Sequence, residues 1–312
     1  MLRAAVNVDI DGLYLYDRIH GHAGGSGNAV GFDPARHDPA AWTRGVVRFL
    51  DLFDRTDVRA TFFVVAQDLA HPDALAVFRE AIAAGHEIGN HALTHPYDLS
   101  RMPRQQMTYE LRTAKDRLEQ LGGVEVVGFR APGYVLSDTL LDVVAETGHR
   151  YDSSRFPCPP YQAAKAAAIG AYRVLGRPSG SIPESPSVWL GQRLPHRVCT
   201  ASGHALVELP IGVVPGVRMP FIGTSLIAFG ELGWQATRAA LRNADWMHLE
   251  CHAIDLCDVD RDGLPERLRA QPDQRVPFER KWPRFVRALE SMRRTHEVRT
   301  LAEWAADLDS NP

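Results

Sequence analysis

Cysteine is scarce in this sequence: Cys158, Cys199, Cys251 and Cys257 are the whole set, with no C-x-x-C pair among them. That excludes a disulfide scaffold and a cysteine-rich zinc module, and it predicts a reducing, cytosolic setting. No apolar run approaches the roughly 18 residues that span a bilayer. The opening stretch, MLRAAVNVDIDG, has no hydrophobic segment of signal-peptide length. Long blocks of one charge are missing as well, and the net charge is −3, which argues against nucleic acid as a main partner. Neither G-x-G-x-x-G nor G-x-x-x-x-G-K-[ST] occurs, so a nucleotide-binding α/β reading lacks its phosphate loop. There is no internal repeat and no low-complexity tract.

What is present is an ordinary globular composition, 312 residues with 45% hydrophobic and 23% charged, consistent with one domain over 1–312. Short apolar or β-branched runs predict strands at 3–10, 58–66, 86–92, 124–131, 150–154, 204–211, 246–253 and 297–301. Helical patterns fill most of the gaps. DPAAWTRGVVRFLDLFDR has apolar residues at three-to-four spacing. HPDALAVFREAIAAG and PRQQMTYELRTAKDRLEQLGG end on glycine. SDTLLDVVAETG has Ser137 as N-cap and Gly148 as stop. Strand–helix alternation implies a parallel sheet covered by helices. Seven to eight strands point to a distorted or incomplete (β/α) barrel, with an open doubly wound sheet as the alternative.

Residues 156–203 break the rhythm, with no clear strand and seven of the 21 prolines between Pro157 and Pro195. We read this insertion as a lid or substrate-recognition segment. Within it, residues 161–177 form a basic amphipathic pattern with Lys165, Arg173 and Arg177. Residues 213–230 are strongly apolar and loop-like. The two stretches are expected to pack on the barrel as a lid; seating a lipid tail or resting on a membrane surface is the alternative.

Polar residues gather at the predicted strand ends, where a parallel barrel carries its active site. The first strand ends in Asp9-Ile10-Asp11, the third in His91 followed by His95, the fourth in Arg130-Ala131-Pro132-Gly133-Tyr134. The fifth supplies Asp152 and the seventh His252. Asp9 and Asp11 share a strand face, with Cα atoms about 6–7 Å apart. His91 and His95 would lie roughly 13 Å apart on a straight strand, so they converge only if the chain turns after His91. One carboxylate and two imidazoles with open positions are the pattern of a catalytic divalent metal, Zn²⁺ first, with Co²⁺, Ni²⁺ or Mn²⁺ as alternatives. Cys251 points to the opposite strand face from His252 and reads as a packed thiol. The stretch HGHAGGSGN, with His20 and His22, reads as a lid.

These motifs, in this order from Asp9 to His252, resemble the polysaccharide deacetylase superfamily (carbohydrate esterase family 4, which includes the chitooligosaccharide deacetylases). The stretches ATFFVVA and GHEIGNHALTHP carry much of the likeness. The resemblance implies a distorted (β/α) barrel and the hydrolysis of an N-acyl amide on an amino sugar. It implies Asp9 as general base, Asp11, His91 and His95 as metal ligands, Arg130 orienting Asp9, Asp152 holding Arg130, and His252 as general acid. The sequence departs from the family pattern in four places. Asp-Ile-Asp replaces an adjacent Asp-Asp. Arg-Ala-Pro-Gly-Tyr puts Gly133 where a tyrosine is usual, so the oxyanion donor falls near Gly133 or Tyr134. Phe156 replaces a tryptophan. Glu250 replaces an aliphatic residue expected against the acyl methyl, which brings formyl forward beside acetyl. With a cytosolic setting, the expected substrate is a small amino-sugar precursor or a lipid-linked sugar at the inner membrane face. Cyclic imide or ureide hydrolysis and a non-catalytic carbohydrate-binding barrel are the rival readings.

Overall fold

The computed structural model describes residues 2–20, 33–176 and 179–310. Residues 21–28 of the glycine-rich stretch, His22 among them, and Arg177 lie outside the described residues. Nine strands are formed among the described residues: β1 (Arg3–Ile10), β2 (Thr61–Val64), β3 (Glu87–Asn90), β4 (Gly128–Phe129), β5 (Tyr151–Asp152), β6 (His196–Cys199), β7 (Ala205–Glu208), β8 (Trp246–His252) and β9 (Glu297–Val298). Their order is β6-β7-β5-β4-β3-β2-β1-β8, with β9 added on β1. Every pairing is parallel except the β6–β7 hairpin.

The helices are α1 (Leu13–Ile19), α2 (Val47–Thr56), α3 (Pro72–Ala83), α4 (Arg104–Gly122), α5 (Asp138–Glu146), α6 (Pro159–Val174), α7 (Pro186–Trp189), α8 (Gly223–Ala228), α9 (Gly230–Leu241), α10 (Val259–Asp262), α11 (Phe278–Thr295) and α12 (Leu301–Ser310). Local chemistry sets their ends. The Ser137 hydroxyl accepts from Leu140 N at 3.2 Å to cap α5. Gly123, at φ 66°, terminates α4 in the left-handed conformation. The largest core cluster lies between the sheet and the outer helices, where Phe49, Phe53, Phe62, Phe78 and Phe285 are fully buried. No described helix is long and apolar enough to cross a membrane.

The sheet curls into an incomplete barrel, as the strand–helix alternation predicts. The chain leaving β7 approaches β8 without a continuous ladder. It touches through Gly212 N to His248 O at 3.0 Å and an isolated bridge between Ile222 and Glu250. A Cβ on residue 212 would lie 2.0 Å from that carbonyl, so only glycine lets the two backbones meet.

Two expectations change. The 156–203 segment is not strandless: it holds α6, α7 and β6, and β6 is the antiparallel edge of the sheet. Its short HRVC run buries no side chain fully, which is why no strand pattern stands out. The apolar stretch 213–230 is not loop throughout, since its second half forms α8.

Candidate active site

Two strands deliver the central groups by register alone. Asn7 and Asp9 on β1 face Glu250 and His252 on β8 as direct cross-strand partners. Asp11 follows one step beyond the end of β1, on the same side as Asp9.

The turn expected after His91 is formed. Ala92 and His95 both adopt positive φ, 66° and 56°, an uncommon conformation for residues with a Cβ. The turn is held from α4: the Glu110 carboxylate accepts from Leu93 N, Thr94 N and the Thr94 hydroxyl at 3.1, 2.9 and 2.8 Å. The two imidazoles therefore converge. Nε2 of His91 and of His95 lie 3.5 and 3.4 Å from Asp11 Oδ1, and all three residues are buried.

The donor chemistry of this triad fits a cation. Nδ1 of His91 lies 2.8 Å from the Arg130 carbonyl, which only accepts, so Nδ1 carries the proton and Nε2 presents a lone pair. Burial pushes His95 down to about 3, so its imidazole is neutral. Asp11 Oδ1 has no hydrogen-bond partner. A bare carboxylate oxygen facing an imidazole lone pair in a buried site is costly unless a positive charge sits between them. Asp11, His91 and His95 thus fit a divalent metal, with ligand atoms all within 4.8 Å of one another.

Beside the triad lies an acid–base set. Asp9 is fully buried; its Oδ1 accepts from Arg130 Nη1 at 3.0 Å and from Asn7 Nδ2 at 2.9 Å, while Oδ2 has no partner. Burial raises the Asp9 carboxyl, with Arg130 opposing. Glu250 Oε1 lies 3.1 Å from His252 Nδ1. Burial opposes charge on His252, but Glu250, Asp11 and Asp9 outweigh it and raise its pKa well above the usual range. Asp255 accepts from the His252 N–H at 2.9 Å and fixes the end of β8. Asp9, Glu250 and His252 also lie within metal-ligand reach of one another. Arg130 already neutralises Asp9 there, and Glu250 is bonded to His252.

Tyr134 enters through its side chain. Its hydroxyl donates to Glu250 Oε1 at 3.2 Å and lies 3.3 Å from His252 Nε2. Its N–H donates to Ala131 O at 2.9 Å, leaving Gly133, at φ 65°, to present its N–H from this turn.

The expected Asp152–Arg130 pair is not formed. Arg130 Nε and Nη2 go to the Ser153 carbonyl and hydroxyl at 2.7 and 2.8 Å. Asp152 accepts from Ser154 N and Oγ at 3.0 and 2.6 Å. It also faces Glu208 of β7 in register. Burial and the Asp152 charge raise Glu208 well above the usual carboxylate range. Asp152 therefore supports the strand end rather than the guanidinium. Glu208, Ser153 and Asn7 were not singled out from the sequence, although Asn7 shares the Asp9 face of β1. His248 does not pair with Glu250; its ring bonds Pro210 O at 2.9 Å and Asn7 Oδ1 at 2.7 Å. Cys251 packs in the apolar core, as expected.

Comparisons with known proteins agree with this geometry. Residues 31–151 match the model of the polysaccharide deacetylase family, a stretch that contains His91, His95 and Arg130. A chitin deacetylase of Colletotrichum lindemuthianum is 27% identical over 167 residues, covering 47% of this chain and 66% of that protein. The chain spans less than two thirds of the curated relatives it matches, about 30% of one and 28% of another. Among solved structures, one from Mycobacterium smegmatis described as a polysaccharide deacetylase superposes at a TM-score of 0.63 with 19% identity, covering 99% of this chain and 91% of that one. The PuuE allantoinase superposes at 0.59 with 16% identity, over 99% and 91%. At such identities the structural likeness speaks for the fold.

Proposed function

We propose that this chain, whose residues 31–151 match the polysaccharide deacetylase family model, is a metal-dependent hydrolase that removes an N-acyl group, acetyl or formyl, from an amino sugar. The observation that carries this reading is the convergence of two imidazole nitrogens on Asp11 Oδ1 at 3.4 and 3.5 Å, with no hydrogen bond between them.

Asp11, His91 and His95 would hold the ion, most simply Zn²⁺. Such an ion lowers the pKa of a bound water to about 7 and polarises the amide carbonyl. Asp9 then acts through Oδ2, its only oxygen without a partner, taking the proton of the attacking water; Arg130 and Asn7 keep Oδ1 fixed. The Gly133 N–H, on a residue that lines the cavity, would donate to the developing oxyanion. His252, paired with Glu250, gives its proton to the leaving amine as the C–N bond breaks. Base and acid stand on neighbouring strands in direct register, so both reach one amide. A cytoplasmic amino-sugar precursor is the substrate setting that the scarcity of cysteine favours.

Ureide or imide hydrolysis is the second reading. It is favoured by the charged Glu250 where the family pattern expects an aliphatic contact for an acyl methyl. The test is amine, acetate and formate release by the zinc-loaded protein on N-acetyl- and N-formylglucosamine and chitotetraose, with allantoin in parallel. Amine release, lost in Asp9→Asn, is the expected result. Allantoin opening without amine release selects the second reading, and no turnover of any of them removes both.

A further inference from the structure

The cavity above the metal ligands has a volume of about 500 Å³, and its character changes with height. The floor is polar. The walls are not. One wall is a single stripe of α6: Tyr161, Ala164, Lys165, Ala168, Ile169 and Tyr172, spaced three and four apart so that they share one helix face. Among the described residues of α6, only Gln162 is buried. This helix therefore rests over the cavity rather than on the core. The opposite wall is Met219, Ile222, Ala228 and Phe229, from the approach to α8 and its end.

Three polar members of these walls already have partners. Lys165 Nζ donates to Gly133 O at 2.8 Å, tethering α6 to the turn that would serve the oxyanion. Ser225 Oγ donates to Ile222 O at 2.7 Å, and the Tyr172 hydroxyl lies 2.7 Å from His20 Nδ1. The Tyr16 and Tyr97 hydroxyls, which also line the cavity, have no partner and are left to read the polar head. The apolar surface also continues outward. Phe229 lines the cavity and is 43% exposed, and Leu232 just beyond it is 82% exposed. Val174 and Leu175, which follow Tyr172, are 88% and 69% exposed. An apolar lining with a partly exposed aromatic at its edge suits an apolar ligand.

We propose that this channel takes an apolar chain covalently attached to the N-acylated head, so that the substrate is an amphiphile. Its amide lies at Asp11, His91 and His95, and its alkyl or isoprenoid tail runs between α6 and α8. This rests on the N-acyl hydrolase reading of the floor, and it replaces a free oligosaccharide with a tailed one.

The test is calorimetric binding of ethyl, butyl, hexyl and octyl 2-amino-2-deoxyglucosides to the zinc-loaded protein, each below its critical micelle concentration. These are product amines and are not turned over. The dissociation constant should fall roughly two- to fourfold per added methylene, following the transfer free energy of a CH₂ group. Ile169→Asp, on the inner stripe, should weaken the octyl compound at least tenfold and leave the ethyl compound unchanged. Ala168→Glu, at an exposed position of the same stripe, repeats the test should the first variant fold poorly. Equal affinity for ethyl and octyl compounds, no binding of any, or octyl binding untouched by both folded variants would each overturn the proposal. Turnover of ethyl N-acetylglucosaminide is measured separately. Chain-length-dependent binding without amine release retires the hydrolase reading and keeps the channel. Amine release with flat affinity does the reverse.

Discussion

Arg130 and Asp9 form an ion pair at 3.0 Å in which neither side chain has any solvent-exposed surface. Such a pair is stable only while both partners remain, because removing one leaves a desolvated charge. Arg130→Met should therefore destabilise the protein by about 3–5 kcal/mol in urea unfolding. Asp9→Asn combined with Arg130→Met should recover part of that loss. A single variant as stable as the wild type would show that the pair does not carry the charge balance of the site.

Glu250 holds His252 Nδ1 at 3.1 Å but is not a member of the Asp11, His91 and His95 triad. Glu250→Gln keeps the shape and removes the charge. It should lower kcat on the N-acyl substrate about 10–100-fold, the range expected when a general acid loses support. KM and metal content should stay unchanged. An unaltered kcat would place Glu250 in the wall of the site rather than behind the acid.

His149, bonded to the chain neighbour of His91, gives a pH-dependent stability. Its Nε2 accepts from Asn90 Nδ2 at 3.1 Å, its Nδ1 faces Val144 O at 3.1 Å, and burial pushes it down to about 3. In the unfolded chain a histidine titrates near 6.5. Between these values the unfolded state binds the extra proton. The contribution of neutral His149 is therefore intact above about pH 6.5 and is lost as pH falls toward 3. From pH 7.5 to 5 the loss amounts to about 2 kcal/mol. Urea unfolding of wild type and His149→Gln at both pH values should show a gap between them that narrows by that amount at pH 5. A gap independent of pH would mean that His149 titrates normally in the fold.

Much of this site is legible from local pattern. Asp9 and Asp11 share a face because strand side chains alternate. The turn that joins His91 to His95 follows from the requirement that two ligands thirteen-odd ångströms apart on a strand, by about 3.3 Å per residue, must curl to meet. What escapes is what depends on register. Asp152 and Glu208 are 56 positions apart and become cross-strand neighbours only when β5 pairs with β7, so Asp152 reads as a partner for Arg130 until that pairing is known. β6 escapes because an edge strand can be short and half-exposed, leaving no period-two pattern. Asn7 was within reach, since it lies on the same face as Asp9, but a neutral amide in a buried strand attracts less notice than a carboxylate.

The central claim is that Asp11, His91 and His95 hold a divalent metal, and metal content tests it without reference to any substrate. Purified wild type and the His91→Ala, His95→Ala double variant are loaded with zinc, dialysed and measured by elemental analysis, with circular dichroism to confirm folding. The account predicts close to one equivalent in the wild type and almost none in the folded double variant. Equal metal in both, or none in the wild type after loading, would contradict it.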